Sequence, residues 1–303
     1  MHWQGILPSL PTPFVADGRV DVDAFCRVAR FAAESSVGGL VTFGLAGEVS
    51  RLTLAEREML LEALISEIGA EVPILTGATA ENTAESRRLV EHAEGAGAAG
   101  VILPPPTAYS LSENEMIDFF VDVASATSLP VIIQDAPEYL SVALRPAAVA
   151  EAASRAVNIS AVKLETGAEG IELWQAELGS SFGIYGGNGG VFLLDCLRSG
   201  ADGIMPGVDT VDLQVRIAQA ESSGRRDEAE DLFMRLLPML VFEMQSIEHY
   251  NLCAKYVLRR RGIELGSYLR LPGPSRLSDR STQRLENYLS SLGLISDVPT
   301  AAG

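Results

Sequence analysis

Two apolar runs in this sequence finish on polar side chains. VIIQDAP, Val131–Pro137, stops at Gln134-Asp135 ahead of a proline, and ISAVKLETG, beginning at Ile159, delivers Lys163 and then Glu165. A lysine at the end of a buried strand sits at the mouth of an apolar cavity. Desolvation there disfavours the ammonium and leaves a nucleophilic amine. Such an amine condenses with a ketone to a Schiff base, an electron sink for breaking an adjacent C–C or C–O bond. The plainer reading is a strand-end lysine that reaches water or pairs with Glu165. Glu165 falls on the same strand face as Lys163, as a candidate base or as a counter-ion. Gln134 can orient a ligand by hydrogen bonding, but an amide has no accessible pKa and carries no proton at neutral pH. If Gln134 points inward, Asp135 points away and has a structural role.

Those residues need a scaffold that brings strand ends together, and the rhythm of the chain supplies one. Short apolar or β-branched runs (GILPSL, GLVTFG, VPILTG, GVILPP, LPVIIQ, ISAVKL, FGIYGG, DGIMPG) alternate with stretches of helical period. The spacing predicts helices over 21–34, 54–68, 82–96, 113–126, 145–155, 168–178, 190–198 and 209–222. Each return to a parallel strand requires a crossover helix, so repeated strand–helix units imply a parallel sheet. Eight units in about 225 residues fit a (β/α)8 TIM barrel. An open doubly wound sheet is the alternative, but no GxGxxG fingerprint follows the first run. The expected organisation is a barrel over residues 1–223 and a helical C-terminal region over 224–303 packed on it. Within that region a last helix is predicted over Asp279–Leu292, and SDVPTAAG reads as a frayed tail.

Composition narrows the function classes. The 303-residue chain is 47 % apolar with a formal charge of −17, which repels nucleic acid and anionic membranes. No apolar run has the length of a membrane span. The start, MHWQGILPSLPTPF, lacks the basic and long apolar parts of a signal peptide. Cys26, Cys196 and Cys253 are odd in number and widely spaced, which argues against a disulfide framework and for a reducing cytoplasm. His2, His92 and His249 stand far apart, and no spacing suggests a metal; no cofactor is expected.

In a barrel of this kind the active site lies where the strands end. Beyond Lys163, Gln134 and Glu165, candidate substrate-binding positions are Leu45, Ala46 and Gly47 in the loop after the second run, Thr107, Tyr109, and Gly187 in the Gly186–Gly190 loop. The backbone N–H groups of Leu45 and Ala46 can hold a carboxylate. Gly186–Gly190 permits close approach to a ligand, or is simply a flexible turn. Thr79, Thr107, Tyr109 and Tyr185 can bring hydroxyls to the mouth, with packing as the plainer reading of each. Glu48 reads as a brace for its loop. His249-Tyr250 can reach the pocket from the C-terminal helices, although core packing is the blander role, and Arg259-Arg260-Arg261 reads as a solvated helix end.

From Gly5 to about Leu292 the chain resembles the dihydrodipicolinate synthase / N-acetylneuraminate lyase superfamily of Schiff-base lyases. The matching elements are Pro11-Thr12-Pro13-Phe14 with Asp17-Gly18, Gly44-x-x-Gly47-Glu48 with Leu52-Thr53 and Glu56-Arg57, and Val72-Pro73-Ile74 running to Gly77. They continue through Gly97-Ala98-x-Gly100 ahead of Pro105-Pro106, Leu129-Pro130-Val131-Ile132, Lys163 and Gly200-Ala201-Asp202-Gly203. The resemblance implies a (β/α)8 barrel, Lys163 as the Schiff-base lysine, and a homotetramer built as a dimer of dimers.

The departures are as informative as the matches. Where the synthases have GTTGE, this chain has Gly44-Leu45-Ala46-Gly47-Glu48, so the first threonine of the family's proton relay is Leu45. The relay tyrosine of YNVP aligns with Gln134, and the tyrosine donated across the dimer aligns with Ala108. The synthase arginine that holds the second substrate's carboxylate aligns near Tyr139. Dihydrodipicolinate synthesis by the usual relay is therefore not expected, and sialic acid cleavage is disfavoured because those lyases keep the tyrosine. QDAP together with Lys163-x-Glu165 is similar to 2-keto-3-deoxy-pentonate (arabonate-type) dehydratases, whose motif after the second strand differs from GLAGE. The expectation is a Schiff-base lyase on a small 2-oxo acid, with dehydration of a 2-keto-3-deoxy sugar acid ahead of pyruvate-dependent aldol chemistry. A catalytically reduced binding or regulatory homologue is the contrasting class.

Overall fold

Eight short strands alternate with helices along the chain: β1 Gly5–Ile6, β2 Leu40–Thr42, β3 Ile74–Gly77, β4 Gly100–Leu103, β5 Val131–Asp135, β6 Ile159–Leu164, β7 Gly183–Gly186 and β8 Gly203–Ile204. The computed structural model describes residues 3–266, 268–270 and 276–295; the tail read at 296–303 lies outside the described residues. All pairings are parallel, in the order β1-β8-β7-β6-β5-β4-β3-β2. The Gly38 N–H donates to the Ile6 carbonyl (2.8 Å) and the Val41 N–H to the Pro8 carbonyl (2.9 Å), which joins β2 back to the β1 end. The ring is a (β/α)8 TIM barrel.

The crossover helices are α1 Val22–Ala33, α2 Leu54–Ile68, α3 Thr83–Ala96, α4 Glu113–Ala124, the single turn α5 Pro137–Leu140, α6 Pro146–Arg155, α7 Ala168–Leu178, α8 Leu193–Arg198 and α9 Val211–Ser222. Their starts are chemically marked. Thr53 and Ser112 each accept a hydrogen bond from the N–H three residues on, while Glu56 and Glu115 reach back to the cap N–H. Asn82 caps α3 in the same way. The turn α5 was not expected; Pro137 at its first position is preset for a helical start.

Side-chain alternation divides each strand between two cores. One face packs under the helices, and the other fills the barrel with Leu7, Val41, Leu75, Ile102, Ile132, Ala161, Tyr185 and Met205. This layer plugs the ring. The Tyr185 hydroxyl donates to the Trp3 carbonyl (3.0 Å), at the opposite end from the strand C-termini, so it does not reach the mouth.

After α9 come α10 Arg226–Glu243, α11 Ile247–Arg260 and α12 Asp279–Ser291. The C-terminal region, expected to be helical, divides before Ile247, where the Ser246 side chain accepts from the His249 N–H. Pro238, the apparent breaker, lies inside α10. Arg261 is no solvated helix end: its guanidinium donates to the Asp209 carbonyl (2.7 Å) and pairs with Asp212 (2.7 Å). Arg260 pairs with Glu286.

Candidate active site

The site follows from the layer above the plug. Two residues beyond the plug positions, on the same face, stand Ser9, Phe43, Gly77, Gln134, Lys163 and Gly207, and all six line a cavity that opens to solvent. Small residues replace bulk in this layer, so the barrel stays hollow here instead of packing shut. Gln134 lies beside Lys163 in the β5–β6 register, and Lys163 beside Tyr185 in the β6–β7 register.

Lys163 Nζ sits 2.5 Å from Glu165 Oε1, with the two side chains 13 % and 6 % exposed. The same oxygen accepts from Gln134 Nε2 at 3.3 Å. The other oxygen of Glu165 accepts from the Asn188 backbone N–H. Glu165 is thus fixed from three directions, and its carboxylate is the group placed to take a proton from the amine. Gly187 makes this possible, because an added Cβ would overlap the Glu165 carboxylate. Asn188 also accepts from the Tyr139 hydroxyl at 2.9 Å, which holds Tyr139 in the cavity wall. Burial and the nearby Glu165 charge push the Tyr139 phenol up to about 12, so it is a neutral donor across the physiological range.

Opposite the lysine, Leu45 and Ala46 line the wall as the start of a short helical turn. The first N–H groups of such a turn have no acceptor within it and face incoming acceptors. Phe43 precedes this turn with φ +54°, a strained value for a bulky residue, and stacks on Phe25 at 6.3 Å. Glu48 is buried with φ +57° and braces the loop through Arg51 (2.7 Å) and Lys255 (2.5 Å). Asp135 faces away, and its carboxylate accepts from the Leu144 N–H (2.9 Å), tying down the segment after α5.

Several sequence candidates stand apart from the cavity. Thr107 spends its hydroxyl and N–H on Glu81 (3.0 Å each), and Tyr109 is 61 % exposed on the outside. The Gly47 carbonyl accepts from the Thr12 hydroxyl (2.7 Å), so Gly47 supports the loop from behind. Gly187 stands behind Glu165. Thr79 lines the mouth. The sequence reading passed over Ser9, Phe43, Met244 and Ile247, which also line the wall, and gave Tyr250 the lesser role. The usable signal was Ser246: a cap there starts α11 so that Ile247 and Tyr250, three apart, share one face.

Comparison with known proteins agrees with the barrel fold. Residues 2–292 match the model of the dihydrodipicolinate synthetase family. A solved dihydrodipicolinate synthase from Rhodopseudomonas palustris is 31 % identical, with a TM-score of 0.87 over 95 % of this chain and 97 % of that one. YagE, a prophage protein of the dihydrodipicolinic acid synthase family from Escherichia coli solved in complex with pyruvate, is 25 % identical, with a TM-score of 0.90 over 97 % of this chain and 100 % of that one. A curated Escherichia coli protein named probable 2-dehydro-3-deoxy-D-pentonate aldolase is 26 % identical over 97 % of this chain and 98 % of its own length. The chain belongs to the dihydrodipicolinate synthetase family, whose members are lyases and synthases.

Proposed function

We propose that this family member is a Schiff-base-forming lyase acting on a small 2-oxo acid, and that its reaction is dehydration of a 2-keto-3-deoxy sugar acid. The observation that carries the reading is Lys163 at the floor of the cavity, paired with Glu165 at 2.5 Å and flanked by Gln134 where the synthases place a phenol. Lys163 attacks the C2 ketone as its proton passes to Glu165, and the ketone oxygen leaves as water. Loss of a C3 proton from the imine gives an enamine, which expels the C4 hydroxyl. Gln134 orients the bound acid by hydrogen bonding, and the N–H groups of Leu45 and Ala46 receive its carboxylate. No arginine is among the described residues that line the cavity, which counts against the second substrate of dihydrodipicolinate synthesis.

Aldol cleavage to pyruvate is the second reading, favoured by the curated relative named as a pentonate aldolase. It uses the same imine, with the C3–C4 bond breaking in place of C4–O. The free cysteines fit a reducing cytoplasm, and no helix among the described residues is long and apolar enough to cross a membrane. Assembly as a homotetramer is carried by the resemblance, and light scattering measures it.

Borohydride reduction in the presence of pyruvate, and then of 2-keto-3-deoxy acids, should fix a covalent adduct on Lys163. No adduct with any of them refutes the Schiff-base reading, and leaves the binding or regulatory homologue. Product analysis then separates the two reactions: a dehydrated 2-oxo acid for the dehydratase, pyruvate for the aldolase.

A further inference from the structure

The Schiff-base reading leaves a gap, because Gln134 cannot move a proton and the family's relay hydroxyls are absent from their usual positions. The cavity contains another phenol. Tyr250 reaches the wall from α11, 3 % exposed, directly over Gly207, where an added Cβ would overlap the phenol oxygen. Its hydroxyl donates to Asp209 Oδ1 at 3.0 Å. Behind Asp209 lies Glu243 of α10; both are 1 % exposed. Both Glu243 oxygens and Asp209 Oδ2 are buried without an N–H or hydroxyl donor, and the two carboxyls are close enough for the charge of Asp209 to raise Glu243. Two neighbouring carboxyls buried without other donors avoid a second unpaired charge when they hold one proton between them.

We propose that Tyr250, Asp209 and Glu243 form a buried proton relay that substitutes for the family's lost phenol, with Tyr250 the catalytic residue at the cavity and the carboxyl pair the store behind it. The proposal rests on the Schiff-base reading above. When a proton leaves the substrate imine, it arrives on the Tyr250 oxygen as the phenolic proton passes to Asp209. The pair then goes from one proton and one negative charge to two protons and none. In the following step the transfer reverses, and the proton goes to the departing hydroxyl, which leaves as water. Tyr250 is never a phenolate, and no charge is created in the interior.

Burial favours each neutral form. It raises Asp209, raises the Tyr250 phenol, and with the neighbouring Asp209 charge pushes Glu243 well above its ordinary value. Other titratable or charged groups around the cluster are Cys253, whose thiol is raised by burial and by the two carboxyls, and Arg261, whose positive charge lowers Asp209 while its guanidinium is held by Asp212. Two like carboxyls sharing one proton are the arrangement in which the second ionisation is suppressed.

The test separates imine formation from proton transfer. Pyruvate is the probe, trapped on Lys163 with borohydride and, separately, followed by NMR for exchange of its C3 protons in D2O. Tyr250→Phe should keep the trapped adduct and lose at least ~100-fold in exchange rate, within the range expected of a missing general acid–base group. Asp209→Asn and Glu243→Gln should also trap normally and slow exchange ~10-fold or more. Normal trapping with wild-type exchange in Tyr250→Phe overturns the relay and leaves the Schiff-base reading standing. Absence of trapping in the wild-type protein overturns both. A measurement on the unmodified protein guards against variants that do not fold. At neutral pH, infrared spectra should show the carbonyl stretch of a protonated carboxyl, and its absence refutes the shared proton.

Discussion

Only two of the 23 basic side chains are lysines, and each lies 2.5 Å from a glutamate inside the molecule. Lys163 opens into the cavity with its side chain 13 % exposed. Lys255 is 1 % exposed and points away from it, between Glu48, the Tyr268 carbonyl at 3.1 Å and the face of Phe14 at 4.6 Å. Arg270 lies 4.6 Å from the same ring and pairs with Glu56. Burial pulls the Lys255 ammonium below its usual value, and yet the surroundings supply a carboxylate, a carbonyl and an aromatic face that hold it charged. A buried amine beside an acid is therefore not sufficient for chemistry. What distinguishes the two is space: glycines and Ser9 keep the barrel hollow above Lys163, whereas Phe14 and Glu48 close over Lys255.

Removing each lysine should expose that division. Lys163→Ala should abolish borohydride trapping and lower turnover by at least ~10³-fold with the fold retained, because the nucleophile is lost while Glu165 keeps its Gln134 and Asn188 donors. A stable variant with turnover near wild type would break the comparison. Lys255→Met should act in the opposite sense, leaving Glu48 buried with Arg51 alone. A loss of about 3 kcal/mol in urea unfolding is expected, with trapping on Lys163 intact in the folded fraction. Gly207→Ala should sharpen the picture of the cavity. The new Cβ displaces the Tyr250 phenol, so turnover should fall by ~10²-fold while mass spectrometry still finds the pyruvate adduct.

The smallest effect should come from the edge of the closed region. Arg270 holds the Glu56 carboxyl down at about 2, against an ordinary value of 4.5. The unfolded chain then binds a proton that the folded one refuses between about pH 4.5 and 2, so this contribution is present above the window and lost as pH falls through it. Glu56→Gln should cost about 1 kcal/mol at neutral pH and flatten that acid limb. An unchanged acid limb in chemical denaturation would remove Glu56 from the account.

Much of the barrel was legible because alternating apolar runs and helical periods are local signals. Lys163, Gln134 and Glu165 could be read for the same reason: each stands at or just past the end of a run. What escaped notice depends on the ring closing. Ser9, Phe43 and Gly207 become neighbours of Lys163 only when their strands end side by side, and nothing in their local pattern says so. Thr107 and Tyr109 fall near a strand end, but Glu81 draws that segment to the outside. Asp209 and Glu243 carry no local signal of burial, since a patterning argument assigns carboxylates to solvent. Their meeting inside depends on where α10 crosses the barrel mouth. The division between α10 and α11 was missed because the helical period runs through it and its one local mark is the serine cap at Ser246.

That both lysines are internal has a consequence for the outside of the molecule. Every basic side chain on the surface is an arginine, and a guanidinium does not readily condense with an aldehyde or ketone at neutral pH. The exterior thus offers no lysine amine for reactive carbonyl compounds to glycate or cross-link. On the proposed reading, a substrate carbonyl would meet only one accessible lysine, Lys163 at the bottom of the cavity.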